Sequence, residues 1–367
     1  MRMIRYLERL MVSYLLLVSI VCLIPQSSQG CTTFSIAKGD QIVVGLNFDW
    51  IVDELLFVVN KRNVSKKAYM PQELSDCQPV SWTSKYGSIT YSQMGREIPY
   101  GGMNEAGLVV EPLRSFSKTQ YPSPDSRFCV LPTAWIQYQL DNFSRVEQVI
   151  ASNAQVIIVP PKNTLNAHYF ICDRTGDCAV IEFIDGRMVL YTKETMPAKV
   201  LSNESYKDHI SVLNFYKDWG GDLPLPQSSG TYDRFVRAAG MVKNYNPETT
   251  KSASDYAFDV LDKVVQKSGF STVWSFVFDI KNLKLYYHPV DRKHTRHFAL
   301  SSFDFSCKKP VKLFMDVKAD VSGDITNNFV DYDRALYRNL LTNTLKVPDE
   351  ILDGIVNYPD STICIDK

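Results

Sequence analysis

From Cys31 onward the chain reads as short blocks with two kinds of periodicity. Residues 31–36, Cys-Thr-Thr-Phe-Ser-Ile, carry a period of two, Lys38-Gly39-Asp40 reads as a tight turn, and residues 41–46 start a second strand. Further runs rich in β-branched and aromatic residues predict strands over 55–59, 107–111, 155–159, 168–172, 178–183 and 188–191. Late in the chain, 272–279 and 284–288 flank Ile280-Lys281-Asn282-Leu283 as a hairpin. Helical spacing takes over at 132–140, with a proline in the first turn, and at 145–151, 252–267 and 332–341. The third is the clearest: Ala257, Val260, Leu261, Val264 and Val265 share a face, Ser252 and Asp255 suit a capping box, and Gly269 ends it. Residues 220–230, full of Gly and Pro, read as a long loop. Strands and helices mixed in blocks, rather than in strict alternation, predict a layered α+β fold.

The first thirty residues follow neither pattern. Three arginines (Arg2, Arg5, Arg9) lead into an apolar run at 11–24, and a polar segment ends in Ser28-Gln29-Gly30. Basic, apolar and small-residue regions in that order predict a secretory signal peptide over 1–30, cleaved before Cys31. The apolar run is short for a bilayer span, which takes about 20 residues, so no stable membrane anchor is expected after cleavage. Residues 31–367 then form one domain, in a secreted or periplasmic protein. Removing three Arg and one Glu from a chain with 40 basic and 40 acidic residues leaves a charge of −2. With no basic tail or Lys/Arg-rich run, nucleic acid is not an expected partner.

Export changes the reading of the cysteines. Cys22 leaves with the signal, and seven remain. An odd number in an oxidising compartment predicts one free thiol beside three bridges. Cys172 and Cys178 bracket a turn and pair first. For the other four the pairing taken is Cys77 with Cys129 and Cys307 with Cys364, which no spacing enforces. Cys31 is left free. A thiol with a pKa near 8.5 and an α-amine near 7.7–8.0 on one residue bring nucleophile and base together without a histidine. The five histidines, His168, His209, His288, His294 and His297, fall in no metal-binding spacing and read as ordinary strand or surface residues.

Cys31-Thr-Thr-Phe-Ser followed by Gly45-Leu46-Asn47-Phe48-Asp49-Trp50 resembles the choloylglycine hydrolase family, which groups bile salt hydrolases and penicillin V acylases. Gly102-Met-Asn-Glu-Ala-Gly107, Val200-Leu-Ser-Asn203, Tyr232-Asp-Arg234-Phe-Val-Arg-Ala-Ala239 and the hairpin at 274–288 extend the resemblance in order over residues 31–300. It implies a four-layer αββα sandwich and an amidohydrolase of linear N-acyl amides that needs no metal or organic cofactor. Its partner is a small-molecule N-acyl amide, and a homo-oligomer is compatible with it. By resemblance Cys31 attacks the amide carbonyl, Asp49 holds the α-amine, Asn203 donates to the oxyanion beside a backbone N–H near Arg114, and Arg234 supplies positive charge. Arg237, three residues on, competes for that last role. Asn203 also begins a glycosylation sequon, as do Asn63 and Asn142. One departure stands out: most relatives carry arginine where this chain has Leu46. Arg114 is a candidate to restore that charge. Leu46 also supports the alternative of a catalytically weakened relative that binds an acyl ligand or a partner.

Overall fold

The computed structural model describes residues 30–366, apart from 52, 118, 163, 165, 249–250, 268, 292–293, 316–319, 345 and 348. Of the segment read as a signal peptide, residues 1–29 lie outside the described residues.

Strands β1 (Thr32–Lys38) and β2 (Gln41–Asp49) form the hairpin read from the sequence, closed by Gly39-Asp40 with Gly39 at φ +59°. They lie in a seven-stranded sheet whose order, edge to edge, is Val200–Leu201, β1, β2, Thr272–Asp279, Lys284–Pro289, Arg296–Ala299 and Gly323–Asp324. A second sheet of nine strands is centred on Val109–Arg114, Gly101–Asn104, Ser88–Ser92 and Leu56–Asn60. The sheets meet through aromatic side chains. Phe57 of the second packs on Phe276, Tyr287 and Phe298 of the first, with centroids 4.9–6.1 Å apart, and Tyr91 stacks on Phe276 at 4.8 Å.

Helices cover both outer faces. α1 (Pro132–Asn142) and α2 (Val146–Ser152) lie on the second sheet, where Trp135, Ile136, Leu140 and Val149 join a core with Val110, Tyr169, Ile171 and Ile181. Beyond α3 (Tyr206–Ser211), α4 (Thr231–Asn244) and α5 (Ala253–Lys263) lie on the first sheet. The rest of the second sheet's outer face, Leu56, Val58 and Leu313, is covered by the C-terminal α6 (Arg334–Asn339) and α7 (Asp349–Asn357). The result is the αββα layering that the resemblance implies. Among the described residues no helix is long and apolar enough to cross a membrane.

Some elements differ from the sequence reading. The helix at 252–267 begins as expected, with Ser252 Oγ accepting from Asp255 N at 3.2 Å, but ends at Lys263. Gln266 instead bonds Thr272 at both ends, its N–H to Thr272 Oγ1 and its carbonyl from Thr272 N, which turns the chain into the next strand. The strand read at 107–111 starts at Val109 because Asn104 Oδ1 accepts from Ala106 N and Leu108 N and makes 105–107 a turn. The helix read at 332–341 begins only at Arg334, capped by Asp333, and runs on from Asn339 into a π-helical turn, Leu340–Thr344. Three disulfides, Cys77–Cys129, Cys172–Cys178 and Cys307–Cys364, match the pairing taken, and Cys31 is the free, buried cysteine among the described residues.

Candidate active site

Strand register assembles the site. β1 pairs on one side with β2, Thr32 opposite Asn47, and on the other with the edge strand, Thr33 opposite Leu201. Continuing both registers by two residues at most puts Cys31 across from Phe48 on one side and Asn203 on the other. Asp49 is the last residue of β2, and its N–H points at Cys31 Sγ over 3.5 Å.

Arg234, in the first turn of α4, ties these strands together from the helical layer and is wholly buried. Nη1 donates to the Cys31 carbonyl at 3.1 Å and to Thr32 Oγ1, and lies 3.6 Å from Asp49 Oδ2. Nη2 donates to Asn203 Oδ1 at 2.8 Å. The opposite edge of the Asn203 amide, Nδ2, donates to the Arg114 carbonyl at 2.8 Å. The guanidinium therefore fixes which way the amide faces. Arg237 does something else: it binds the carbonyls of Pro226, Ser228 and Lys263 and so anchors the 220–230 loop. Asn203, fully buried, is out of reach of a glycosyltransferase in the folded protein.

Desolvation dominates the electrostatics. Burial, then the neighbouring Asp49 carboxylate, pushes the Cys31 thiol up to about 12, against the Asp49 N–H and Arg234. Burial likewise raises Asp49 to about 7, opposed by Arg234 and by a 2.6 Å hydrogen bond from Thr272 Oγ1 to Oδ1. Here the Cys31 nitrogen is still an amide, joined to Gly30. A cation created at that nitrogen would favour both anions. Gly30 itself packs directly on Asn203, since a Cβ there would fall 2.0 Å from the side-chain amide, so no larger residue fits at that position without displacing Asn203.

Cys31 opens onto a cavity of about 320 Å³ lined largely by apolar and aromatic side chains, among them Phe48, Trp50, Tyr100, Leu113, Ile136 and Phe270. Trp50 stacks between Phe48 and Phe270, with centroids 6.1 and 5.8 Å away. Arg114, half-buried, puts a cation on its wall. Leu46 is not among the lining residues. It is wholly buried and shares the face of β2 that carries Phe48, which packs on Tyr91 of the second sheet. Leu46 thus lies in the core between the sheets, two residues before Phe48 on the same face, and only Phe48 of the two reaches the cavity.

Cys31, Asp49, Asn203 and Arg234 thus come together, and Arg114 contributes both its carbonyl and its side chain. Sequence reasoning missed Thr272, Ser202 and Thr231, small hydroxyl residues whose partners are distant in sequence. Of the histidines, His168, His288 and His297 lie on strands as read, His168 with Nδ1 3.2 Å from Glu182, whereas His209 is wholly buried on α3. Among the described residues no group of three or more His, Cys, Asp or Glu could hold a metal ion.

Two sheets packed face to face between helical layers, with a cysteine leading the first inner strand, define the N-terminal nucleophile hydrolase fold. Within that class the sequence profile described as linear amide C–N hydrolases, choloylglycine hydrolase family, matches residues 31–313, and the chain belongs to this family. A penicillin V acylase of Pectobacterium atrosepticum is 32% identical over 245 residues, which span 57% of this chain and 64% of that one. The match thus spans just under two thirds of that relative. The structure of penicillin V acylase from Agrobacterium tumefaciens superposes with a TM-score of 0.70 at 26% identity, covering 83% of this chain and 98% of the other. An arginine-to-leucine variant of conjugated bile acid hydrolase from Clostridium perfringens gives 0.64 at 20% identity over 78% and 97%, a likeness of fold alone.

Proposed function

We propose that the protein is an exported amidohydrolase that cleaves N-acyl amides with a bulky apolar acyl group, using Cys31 as an N-terminal nucleophile. The observation that carries this reading is the free thiol of Cys31 at the mouth of an aromatic cavity, with Asp49 N–H 3.5 Å from the sulfur and Asn203 fixed beside it by Arg234. Removal of residues 1–30 frees the α-amine, which takes the thiol proton. The thiolate attacks the carbonyl, and negative charge develops on its oxygen beside Asn203 Nδ2. One such preorganised donor is worth about 3–4 kcal/mol. Collapse breaks the C–N bond, the amine leaves with the proton held by the α-amine, and an acyl thioester remains. Water attacks the thioester, the α-amine again moving the proton, and a carboxylic acid departs from the restored thiol.

The cavity favours acyl chains that can lie among Phe48, Trp50 and Phe270, and Arg114 favours a carboxylate on the substrate. Penicillin V, with a phenoxyacetyl amide beside a carboxylate, combines both features and is the first substrate to try. The test is intact-mass analysis of exported protein treated with an amide-reactive electrophile. We expect a chain beginning Cys-Thr-Thr-Phe with one adduct on Cys31, and turnover that vanishes in Cys31→Ala while the fold is kept. A start at Thr32 or later, or an adduct elsewhere, overturns the reading.

A further inference from the structure

Behind the oxyanion asparagine lies a chain of hydroxyl groups ending in a buried histidine. Ser202 Oγ is 3.3 Å from the Cys31 carbonyl and 3.4 Å from Asn203 Oδ1. Thr231 Oγ1, at the start of α4, is 3.1 Å from Ser202 Oγ, accepts from Asn203 N at 3.0 Å and lies 3.3 Å from His209 Nε2. His209 stacks on Phe235 with centroids 4.4 Å apart, and its buried Nδ1 has no hydrogen-bond partner among the described residues.

Counting protons gives this chain a direction. A hydroxyl has one proton and two acceptor sites. Cys31 O and Asn203 Oδ1 can only accept, so the Ser202 proton goes to them, and Ser202 accepts from Thr231 at 3.1 Å, with Thr32 Oγ1 at a longer 3.5 Å on its other acceptor site. Thr231 has then spent its proton on Ser202, and Asn203 N–H takes one of its acceptor sites. The remaining contact, to His209 Nε2, requires that nitrogen to be the donor. The bare nitrogen is then Nδ1, the one without a partner, and an orphaned acceptor is tolerated better in a protein interior than an orphaned N–H. Burial, with His168 and Arg234 nearby, holds the His209 pKa well below its usual value, so the ring is neutral and has a single proton to place.

We propose that His209, Thr231 and Ser202 form a directed hydrogen-bond relay that holds the Cys31 carbonyl and the Asn203 amide in register, which makes Thr231 and His209 positioning residues for acyl transfer. The proposal rests on the catalytic reading above for its consequence, but its direction rests on the hydrogen-bond geometry and the burial of the ring. Arg234 grips the Cys31 carbonyl and Asn203 Oδ1 from one side. The relay grips them from the other, and Thr231 also satisfies the backbone N–H that orients Asn203. Removing the threonine hydroxyl leaves that N–H unpaired and lets the amide drift, and a misplacement of about 1 Å in such a site costs roughly a hundredfold in rate.

Two measurements on the processed full-length protein test it. The ¹⁵N shifts of His209 should show Nε2 protonated and Nδ1 bare, and the reverse tautomer overturns the relay whether or not the enzyme turns over. With penicillin V as probe, Thr231→Val should lower kcat roughly tenfold to a hundredfold at a KM within about threefold. Thr231→Ser, which keeps the hydroxyl, should recover most of the loss. His209→Leu should resemble Thr231→Val, while His209→Gln, whose amide nitrogen can take the place of Nε2, should recover activity. If Thr231→Val keeps kcat within twofold, or the conservative variants recover nothing, the relay is not positioning the site. A wild type with the expected tautomer and no turnover of any N-acyl amide would sink the catalytic reading and leave the tautomer to decide the relay.

Discussion

The pKa of Asp49 makes the buried site a measurable load on stability. Its carboxyl is raised from 3.8 to about 7, chiefly by burial. The folded chain therefore binds the proton more tightly than the unfolded one between those values. Stability is full below about pH 4 and is lost as pH rises through 7. Asp49→Asn keeps the shape without the charge. In protein that retains Gly30, its Tm should exceed that of the wild type at pH 8 by an amount that closes toward pH 4, read by calorimetry across that range. A gap independent of pH would show that ionisation of Asp49 is not the cause. Arg114 belongs to the same scale but to binding rather than stability. Arg114→Leu should raise KM for carboxylate-bearing amides at least about tenfold, the weight of one charge-assisted hydrogen bond, and raise it less for neutral amides. An equal rise for both classes would make Arg114 a packing residue of the cavity wall.

Between elements, a buried ionic tie lies away from the site. Lys66, on the strand Val64–Lys67, is buried and reaches Glu97 at 2.7 Å and Asp141, on α1, at 2.9 Å. Asp141 also accepts from Trp82 Nε1 and Gln137 Nε2, both at 2.7 Å, so strand and helix share one buried network. Its value is asymmetric, because taking out one member strands buried charge. Lys66→Met should cost about 3–5 kcal/mol in urea unfolding. Replacing Lys66, Glu97 and Asp141 together by apolar residues of similar size should cost less than the single change, and a larger cost would mean that the ion pairs themselves are net stabilising.

Across the whole molecule, the family profile ends at residue 313, yet the second sheet is completed only by the C-terminal segment beyond that residue. α6 and α7 seal Leu56, Val58 and Leu313, and the Cys307–Cys364 bridge fastens that segment back to the body, where Ile363–Cys364 pairs with Val64–Lys67. A bridge over a sequence separation of 57 restricts the unfolded chain by about 4 kcal/mol in the entropy view. Serine at both positions should lower Tm and raise the binding of a dye specific for exposed apolar surface, as the sheet face opens. An unchanged Tm would show the C-terminal helices to be held by packing alone.

Much of this was legible in the chain. The β1–β2 hairpin, the paired strands around Cys172 and Cys178, the start of α5 and the cysteine arithmetic come from local periodicity, capping and parity, which neighbours in sequence decide. Cys31, Asp49, Asn203 and Arg234, which the structure brings together, could be singled out because each sits in a short motif. The features beyond reach depend on partners far away along the chain. Strands such as Ser88–Ser92 and Gly101–Asn104 carry too few apolar residues to announce themselves and exist because the sheet pairs them. The helix at 252 stops where Thr272 claims Gln266. Leu46 sits three residues before the site aspartate, but its direction is set by the face of β2 that meets the second sheet. Thr231 and His209 become a relay only when α3 and α4 close over the edge strand. Local spacing carries the chemistry of a residue, whereas burial and hydrogen-bond direction are set by the surfaces that tertiary packing brings against it.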